Sequence, residues 1–239
     1  MIHNDIDVRH LFAEGADVIT AILERGMQVY VADVDVASAV ARDRWIRCID
    51  EGTPGGLHLA GSGILLGENW EGSLEQAAEV VREMDASGVS WHRGCGAVAN
   101  FVKAHNEVKD DVDEVAERFA RELAVKVTLP CREQMLMRPE GIHIARAAYY
   151  DGAGQFDPSR VEGLPSGFVI SRRYLGKTYA LKEAEMAVGI ALGHHGFGEL
   201  FTSKQPFLLV AVGGDSGLER ELTEVAKPYG RRVTVVSLG

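Results

Sequence analysis

Three side chains that commonly bind transition metals follow two separate apolar stretches of this chain. Cys48 lies near the end of "WIRCID", and His92 and Cys95 end "VSWHRGC". Zinc prefers thiolate and imidazole ligands, and a catalytic zinc site typically has three protein ligands and one open position. His92 and Cys95 alone are a weak signal, because a free cysteine is often only a small buried hydrophobe. The second pair, Cys48 and Asp50, makes a shared metal site the favoured interpretation.

The elements before these residues are predicted to be strands whose ends lie side by side. "WIRCID" and "VSWH" are short apolar runs typical of buried strands, and "SLEQAAEVVREMDASG" and "GAVANFVKAHNEVKDD" have helical spacing. Strands alternating with helices predict an α/β fold with a mostly parallel central sheet flanked by helices on both faces. In such sheets the functional groups lie at the carboxyl ends of strands. A helix beginning near Gly96 would direct backbone N–H groups towards Cys95 and favour its thiolate.

The rest of the chain gives further strands and helices. "MQVYVADV", residues 27–34, is rich in β-branched residues and is predicted to be a strand. "GIHIARAAYYDGAGQF" is predicted to be a strand with a hairpin-type turn at Asp151 to Gly154. "PFLLVAVGG", "SGLERELTEVAKPYG" and "RRVTVVSLG" predict a closing strand, helix and strand. Since no linker divides the sequence, residues 1–239 are predicted to form a single metal-binding domain.

Composition limits the class of protein. The 239 residues include 35 acidic and 25 basic side chains, a net charge of −10, so nucleic acid is not expected as a partner. No apolar run approaches the ~18 residues of a membrane span, and the first residues do not resemble a signal peptide. Three cysteines are an odd number, which argues against a disulfide framework. These features predict a cytoplasmic protein in a reducing compartment, with no membrane partner.

Around the predicted ligands the sequence resembles two families of carbonic anhydrase. "CID" followed by "HRGCGAVANF" resembles the C-x-D-x-R … H-x-x-C pattern of the β class. The "TPGGLHLA" loop and the helix "SLEQAAEVV" between them resemble the cadmium-using zeta class. The resemblance covers roughly residues 27–156, and the combination of Cys48, His92 and Cys95 is its specific part. It implies a fold like that of the β-carbonic anhydrases.

The resemblance also implies an activity and a ligand set. Cys48, His92 and Cys95 would bind Zn²⁺, with Cd²⁺ as the alternative, and Asp50 would orient a metal-bound water or take the fourth coordination position. Zinc lowers the pKa of a bound water to ~7, and the resulting hydroxide could attack CO₂ to give bicarbonate. The resemblance thus implies a zinc-dependent lyase whose small-molecule partners are its substrate CO₂ and its product bicarbonate. A homodimer is also implied, because β-class relatives are often dimeric.

One residue departs from the family pattern. The arginine expected two residues after Asp50 is replaced by Gly52. Asp50 is therefore expected to be free to bind the metal or its water, with Arg47 and Arg93 as candidate substitutes. The missing arginine favours a non-catalytic metal-binding member of the fold, and a hydrolase acting on COS or CS₂ is a further alternative.

Three more residues and one loop are candidates for the site or its surroundings. His58 is the candidate proton shuttle, because the pKa of an unperturbed imidazole lies near neutrality. Gly55 and Gly56 belong to a glycine-rich loop, whose backbone can approach a neighbouring group or ligand closely. They are predicted to line the substrate pocket. "GGDSG", Gly213 to Gly217, could cradle an anion but lacks the glycine pattern and lysine of nucleotide-binding loops.

Overall fold

A computed structural model describes residues 7–32, 36–105 and 111–239 of the chain. Its strands are β1 (Trp45–Arg47), β2 (Leu57–His58), β3 (Gly88–Trp91), β4 (Cys131–Glu133), β5 (Ala147–Asp151), β6 (Gly167–Ser171), β7 (Phe207–Val212) and β8 (Val233–Leu238). Its helices are α1 (Val8–Glu14), α2 (Ala16–Arg25), α3 (Met27–Tyr30), α4 (Trp70–Glu83), α5 (Gly96–Ala104), α6 (Val112–Val127), α7 (Arg172–Ala191) and α8 (Ser216–Ala226). Short 3₁₀ turns include Ala60–Gly63 and Pro158–Arg160.

The strands form two parallel four-stranded sheets with the same topology. The first sheet has the order β2-β1-β3-β4 and the second has the order β6-β5-β7-β8. In each sheet the strand that comes second along the chain lies at one edge, and the order reverses between the first and third strands. Each half thus runs strand, strand, helix, strand, helix, strand, with one extra helix in the first half. The point of reversal is where parallel α/β sheets place their ligands.

A shared core joins the two halves. One buried cluster contains Ile46 and Val89 of the first sheet together with Tyr150 and Leu209 of the second. The backbone N–H of Val169 in β6 donates to the carbonyl oxygen of Ile49, just after β1, over 3.1 Å. Residues of β5, β6 and β7 are buried on both faces, as expected of parallel strands covered by helices.

The α/β class with parallel strands and flanking helices is confirmed, while two local predictions are wrong. Residues 27–30 form α3 rather than a strand, and residues 33 and 34 of that predicted strand lie outside the described residues. β5 and β6 are parallel, with Ala147 opposite Gly167, so the turn after Asp151 does not close a hairpin. In the described ranges, the structure contains no helix that is both long and apolar enough to cross a membrane.

Candidate metal centre

The pairing of β1 with β3 brings the predicted ligands together. Trp45 lies opposite Gly88 and Ile46 opposite Val89, so the two strands end at the same edge of the sheet. Cys48, His92 and Cys95 follow these ends and are 6%, 2% and 1% exposed. Their ligand atoms all lie within 4.8 Å of one another. The three residues therefore form a buried group that could hold a metal ion.

The separation of the two sulfur atoms fits a tetrahedral metal. The Sγ atoms of Cys48 and Cys95 are 3.8 Å apart. Two Zn–S bonds of ~2.3 Å at the tetrahedral angle would place the sulfurs about 3.8 Å apart. A disulfide would need about 2.05 Å, so the thiols are unbonded.

His92 presents an unused nitrogen. Its Nδ1 lies 2.9 Å from the carbonyl oxygen of Arg93, and because a carbonyl can only accept, Nδ1 carries the proton. The pKa of His92 is raised to about 9 in the metal-free site, so Nε2 offers a lone pair to a metal ion once its own proton is lost. Among the described residues, this buried Nε2 has no hydrogen-bond partner. A buried polar atom without a partner is costly, and a metal ion would satisfy it.

In the metal-free site the pKa of Cys95 is lowered and that of Cys48 is raised, so Cys95 is the cysteine more readily ionised. The hydrogen bond between the sulfurs lowers the pKa of Cys95 and raises that of Cys48, and the N–H groups of Val98 and Ala97 at the start of α5 further lower the pKa of Cys95. Burial alone would lower the pKa of His92, but its interaction with Cys48 and the charge of Asp50 raise this pKa to about 9. The site therefore attracts positive charge.

A glycine turn places a backbone amide on one ligand. The 3₁₀ turn Ala60–Gly63 follows β2, and the N–H of Gly61 donates to Sγ of Cys48 over 3.4 Å. Gly61 has φ +52°, and a Cβ there would lie 3.0–3.2 Å from Ile64, Ala97 and Val98. Glycine is therefore favoured here, because other residues rarely adopt this conformation and a Cβ would force the neighbouring side chains to shift by a few tenths of an ångström.

A small cavity adjoins the ligands. Its volume is ≈ 10 Å³, room for about one water molecule. Besides the three ligands, the lining residues are Gly61, Ser62, Trp91, Val98 and Ala116. The walls beside the ligands are thus largely apolar.

Asp50 has an arginine partner, which corrects the expectation that it is free. Arg138 Nε and Nη2 each donate over 2.9 Å, to Oδ1 and Oδ2 of Asp50 respectively. The N–H of Gly52 also donates to Oδ1 over 2.8 Å. Burial raises the pKa of Asp50, but the bonds and charge of Arg138 outweigh this and lower it. A Cβ on residue 52 would lie 2.8 Å from Cγ of Arg138, so Gly52 leaves the space that this side chain fills.

The two arginines predicted as substitutes lie elsewhere. Arg47 donates to the carbonyl oxygen of Pro54 and to Asp43. Arg93 is largely exposed and pairs with Glu133.

A second group of potential ligands is already hydrogen-bonded. Asp50, Glu51 and His143 also lie within 4.8 Å of one another. Glu51 accepts hydrogen bonds from the N–H of Ile144 over 2.7 Å and from Nδ1 of His143 over 2.9 Å. Asp50 accepts hydrogen bonds from Arg138. Since these carboxylate oxygens have partners, the group is a buried polar network that holds Asp50 and Arg138 in place.

The remaining predicted residues lie beside the centre rather than in its cavity. His58 is buried, and its Nδ1 donates to the carbonyl oxygen of Cys48 over 2.7 Å. Burial lowers the pKa of His58 to about 4, which suits a positioning role better than proton transfer near neutral pH. Gly55 and Gly56 do not line the cavity: Gly56 approaches the carbonyl oxygen of Trp45, and Gly55 lies near Asp157.

Arg138, Glu51, His143, Gly61 and Ser62 were not identified from the sequence as members of the site. The one signal for Arg138 is an absence, the glycine at position 52. The sequence "GSG" at 61–63 is a signal for a tight turn, but it does not show which sulfur the turn approaches.

Comparison with known proteins identifies no relative of this chain. No protein-family model, curated protein or solved structure matches it.

Proposed function

We propose that the protein is a zinc-dependent lyase that hydrates CO₂ to bicarbonate at Cys48, His92 and Cys95. The observation that carries the proposal is the buried two-cysteine, one-histidine group, in which Nε2 of His92 lacks a partner and which faces an apolar cavity. When bound there, zinc would supply a Lewis acid that lowers the pKa of a coordinated water to ~7. Cadmium suits the same thiolate-rich ligands.

The number of ligands favours catalysis over a purely structural metal. Structural zinc sites are closed by four protein ligands, whereas catalytic sites keep one position open. In the described part of the chain, the cluster contains three His, Cys, Asp or Glu ligands. The cavity beside them would accommodate a very small molecule at the fourth position.

The protein groups around the centre have separable tasks. Cys48 and Cys95 as thiolates would balance the charge of a divalent ion, and the carbonyl of Arg93 fixes the ring of His92. Trp91, Val98 and Ala116 give the cavity an apolar wall, which would suit an apolar substrate. These contacts support binding of a small uncharged molecule such as CO₂.

The ion pair between Asp50 and Arg138 also supports a catalytic function. The missing arginine at position 52 was the reason to favour a non-catalytic protein, and Arg138 removes that reason by forming the same type of ion pair from a distant loop. Held by Arg138, the Asp50 carboxylate stays ionised beside the ligands. Its charge acts on His92 and Cys95, which supports the proposal that it orients a polar ligand of the centre.

Metal analysis is the first test. Protein purified with reduced thiols is expected to hold about one zinc per chain, and Cys48→Ser and Cys95→Ser to lose it. Cys131→Ser is the matched control, because this third cysteine lies on β4 outside the group and should leave the metal content unchanged. Full metal retention in Cys48→Ser or Cys95→Ser would exclude the proposed site.

Activity is the second test. Stopped-flow measurement with a pH indicator should show CO₂ hydration by zinc-loaded wild type and by Cys131→Ser, and none above buffer by Cys95→Ser. Parallel assays with COS and CS₂ test the hydrolase alternative. A wild type that holds zinc but accelerates none of these reactions would be a metal-binding protein without this activity.

A further inference from the structure

A buried carboxyl group from the second half of the chain reaches the turn beside the metal centre. Glu183 lies on α7, is 4% exposed, and accepts a hydrogen bond from the N–H of Ala60 over 2.8 Å. Its other oxygen, Oε2, has no hydrogen-bond partner among the described residues. The other buried residues nearby on α7 are the small apolar Ala180, Ala184 and Ala187, so this carboxyl is the one buried charged side chain of the helix.

The next backbone amide along the turn, that of Gly61, contacts the candidate metal ligand Cys48. The N–H of Ala60 donates to Glu183, and the N–H of Gly61 donates to Sγ of Cys48 over 3.4 Å. Gly61 and Ser62 both have left-handed backbone conformations, with φ of 52° and 61°. The hydroxyl of Ser62 donates to the carbonyl oxygen of Ser90 over 2.7 Å. The turn is therefore fixed on both sides of Gly61, by Glu183 before it and by Ser62 after it.

We propose that Glu183 is a positioning residue for the metal centre, which it serves by holding the turn that directs the Gly61 N–H at the sulfur of Cys48. This inference rests on the proposed function. A hydrogen bond to a thiolate stabilises its negative charge and fixes the direction of its lone pairs, and such outer contacts typically change metal affinity by 10–100-fold when removed. Glu183 thereby connects the second half of the chain to a ligand in the first.

The chemistry of the carboxyl group indicates the conservative substitution. Burial raises the pKa of Glu183 to about 8, so at pH 7 it is mostly a neutral acid that accepts through one oxygen. Glutamine has the same shape and keeps that acceptor. Leucine fills a similar volume but accepts no hydrogen bond.

The test compares Glu183→Leu and Glu183→Gln in the full chain, with Glu185→Leu as the matched control on the exposed side of α7. Zinc affinity is measured by competition with a chromophoric chelator. The cobalt-substituted protein is examined for its thiolate-to-metal charge-transfer band, which reports directly on the ligand sulfurs. Thermal unfolding of the metal-free variants shows whether they are folded.

Glu183→Leu is expected to weaken zinc binding about 10–100-fold and to change the charge-transfer band. Glu183→Gln and Glu185→Leu should retain affinity and spectrum close to those of wild type. A folded Glu183→Leu with wild-type affinity and spectrum would overturn the inference, as would a loss of stability without a change in zinc binding.

If Glu183→Leu does not fold, Glu183→Ala takes its place, because alanine is already the residue at neighbouring buried positions of α7. Failure of both to fold would assign Glu183 to folding rather than to the metal centre and overturn the inference. A wild type that binds no zinc would overturn the proposed function, and this inference with it. A wild type that binds zinc beside an unaffected Glu183→Leu would overturn the inference alone.

Discussion

Arg138→Met should destabilise the protein strongly, because it removes the partner of a buried carboxylate. The guanidinium of Arg138 is 5% exposed and donates two charge-assisted bonds to Asp50. It also donates to the carbonyl oxygens of Pro139 and Ile142 over 3.2 and 3.0 Å. Methionine would fill part of the space but would leave all of these acceptors without their donor.

The magnitude follows from the burial of the pair. Removing one partner of a buried ion pair costs about 3–5 kcal/mol, because an uncompensated charge remains in the interior. A chain of this size loses about 2–4 °C in Tm per kcal/mol, so Tm should fall by about 6–20 °C. This loss is a large fraction of a folding free energy that is typically about 5–15 kcal/mol.

Urea and thermal unfolding of the metal-free protein, both followed by circular dichroism, measure the losses in free energy and in Tm without a contribution from the metal. Arg93→Met is the matched control, since Arg93 forms an exposed pair with Glu133 and its loss should leave Tm close to that of wild type. The double variant Arg138→Met/Asp50→Asn should recover part of the loss, because neither charge is then left alone. Equal effects of Arg138→Met and Arg93→Met, or strict additivity in the double variant, would refute the assignment.

Three other predictions use different measurements. In the metal-free protein the pKa of Glu183 is about 8 when folded and near 4.5 when unfolded. Between pH 4.5 and pH 8 the folded state therefore holds a proton that the unfolded state has lost, and the free energy of unfolding falls as pH rises through this range. The free energy of unfolding of wild type should fall by up to about 1.4 kcal/mol per pH unit from pH 5.5 to 7.5 relative to Glu183→Gln, and an equal pH dependence in both would contradict the burial of a neutral acid. Gly52→Ala should cost about 1–3 kcal/mol in urea unfolding, because its methyl group would lie 2.8 Å from Cγ of Arg138; an unchanged midpoint would show that this side chain lies elsewhere. Zinc at about 1,000 times Kd should stabilise wild type and Cys131→Ser by about 4 kcal/mol, and a calorimetric shift of the same size in Cys95→Ser would place zinc at another site.

The grouping of the candidate metal ligands could be predicted from the sequence because local patterns determine where they lie. Each ligand follows a short apolar strand, and neighbouring parallel strands present their carboxyl ends at one edge of a sheet. The only long-range information needed was that β1 pairs with β3, which is the usual outcome for strands separated by a crossover helix.

Arg138 could not be predicted in the same way. It lies 88 residues from Asp50 in an irregular loop, and no periodic pattern determines where such a loop folds back. The sequence showed only the consequence, a glycine where the resemblance calls for an arginine. In the structure, the absence of a side chain at position 52 leaves room for the side chain of Arg138, which comes from the loop.

The two incorrect local predictions have physical causes. The run "MQVYVADV" has β-branched residues, but the buried pair Met27 and Val31 is spaced four apart, which is the spacing of one helix face. The residues Asp151 to Gly154 have the composition of a hairpin turn. Asp151 instead accepts the N–H groups of Ala153 and Phe156 and so closes a loop that leads into a parallel crossover.

The repeated topology shows that residue type, rather than strand order alone, determines where a metal could bind. Both third strands lead into a helix, whose N-cap is Cys95 in the first half and Asp215 in the second. The first strand of the second half ends at Asp151, whose oxygens are already used by backbone amides. In the described residues, these two strand ends of the second half therefore present carboxylates rather than a thiol and an imidazole, although the strand order is the same. The contribution of the second half is instead Glu183, which reaches across to the turn that contacts Cys48.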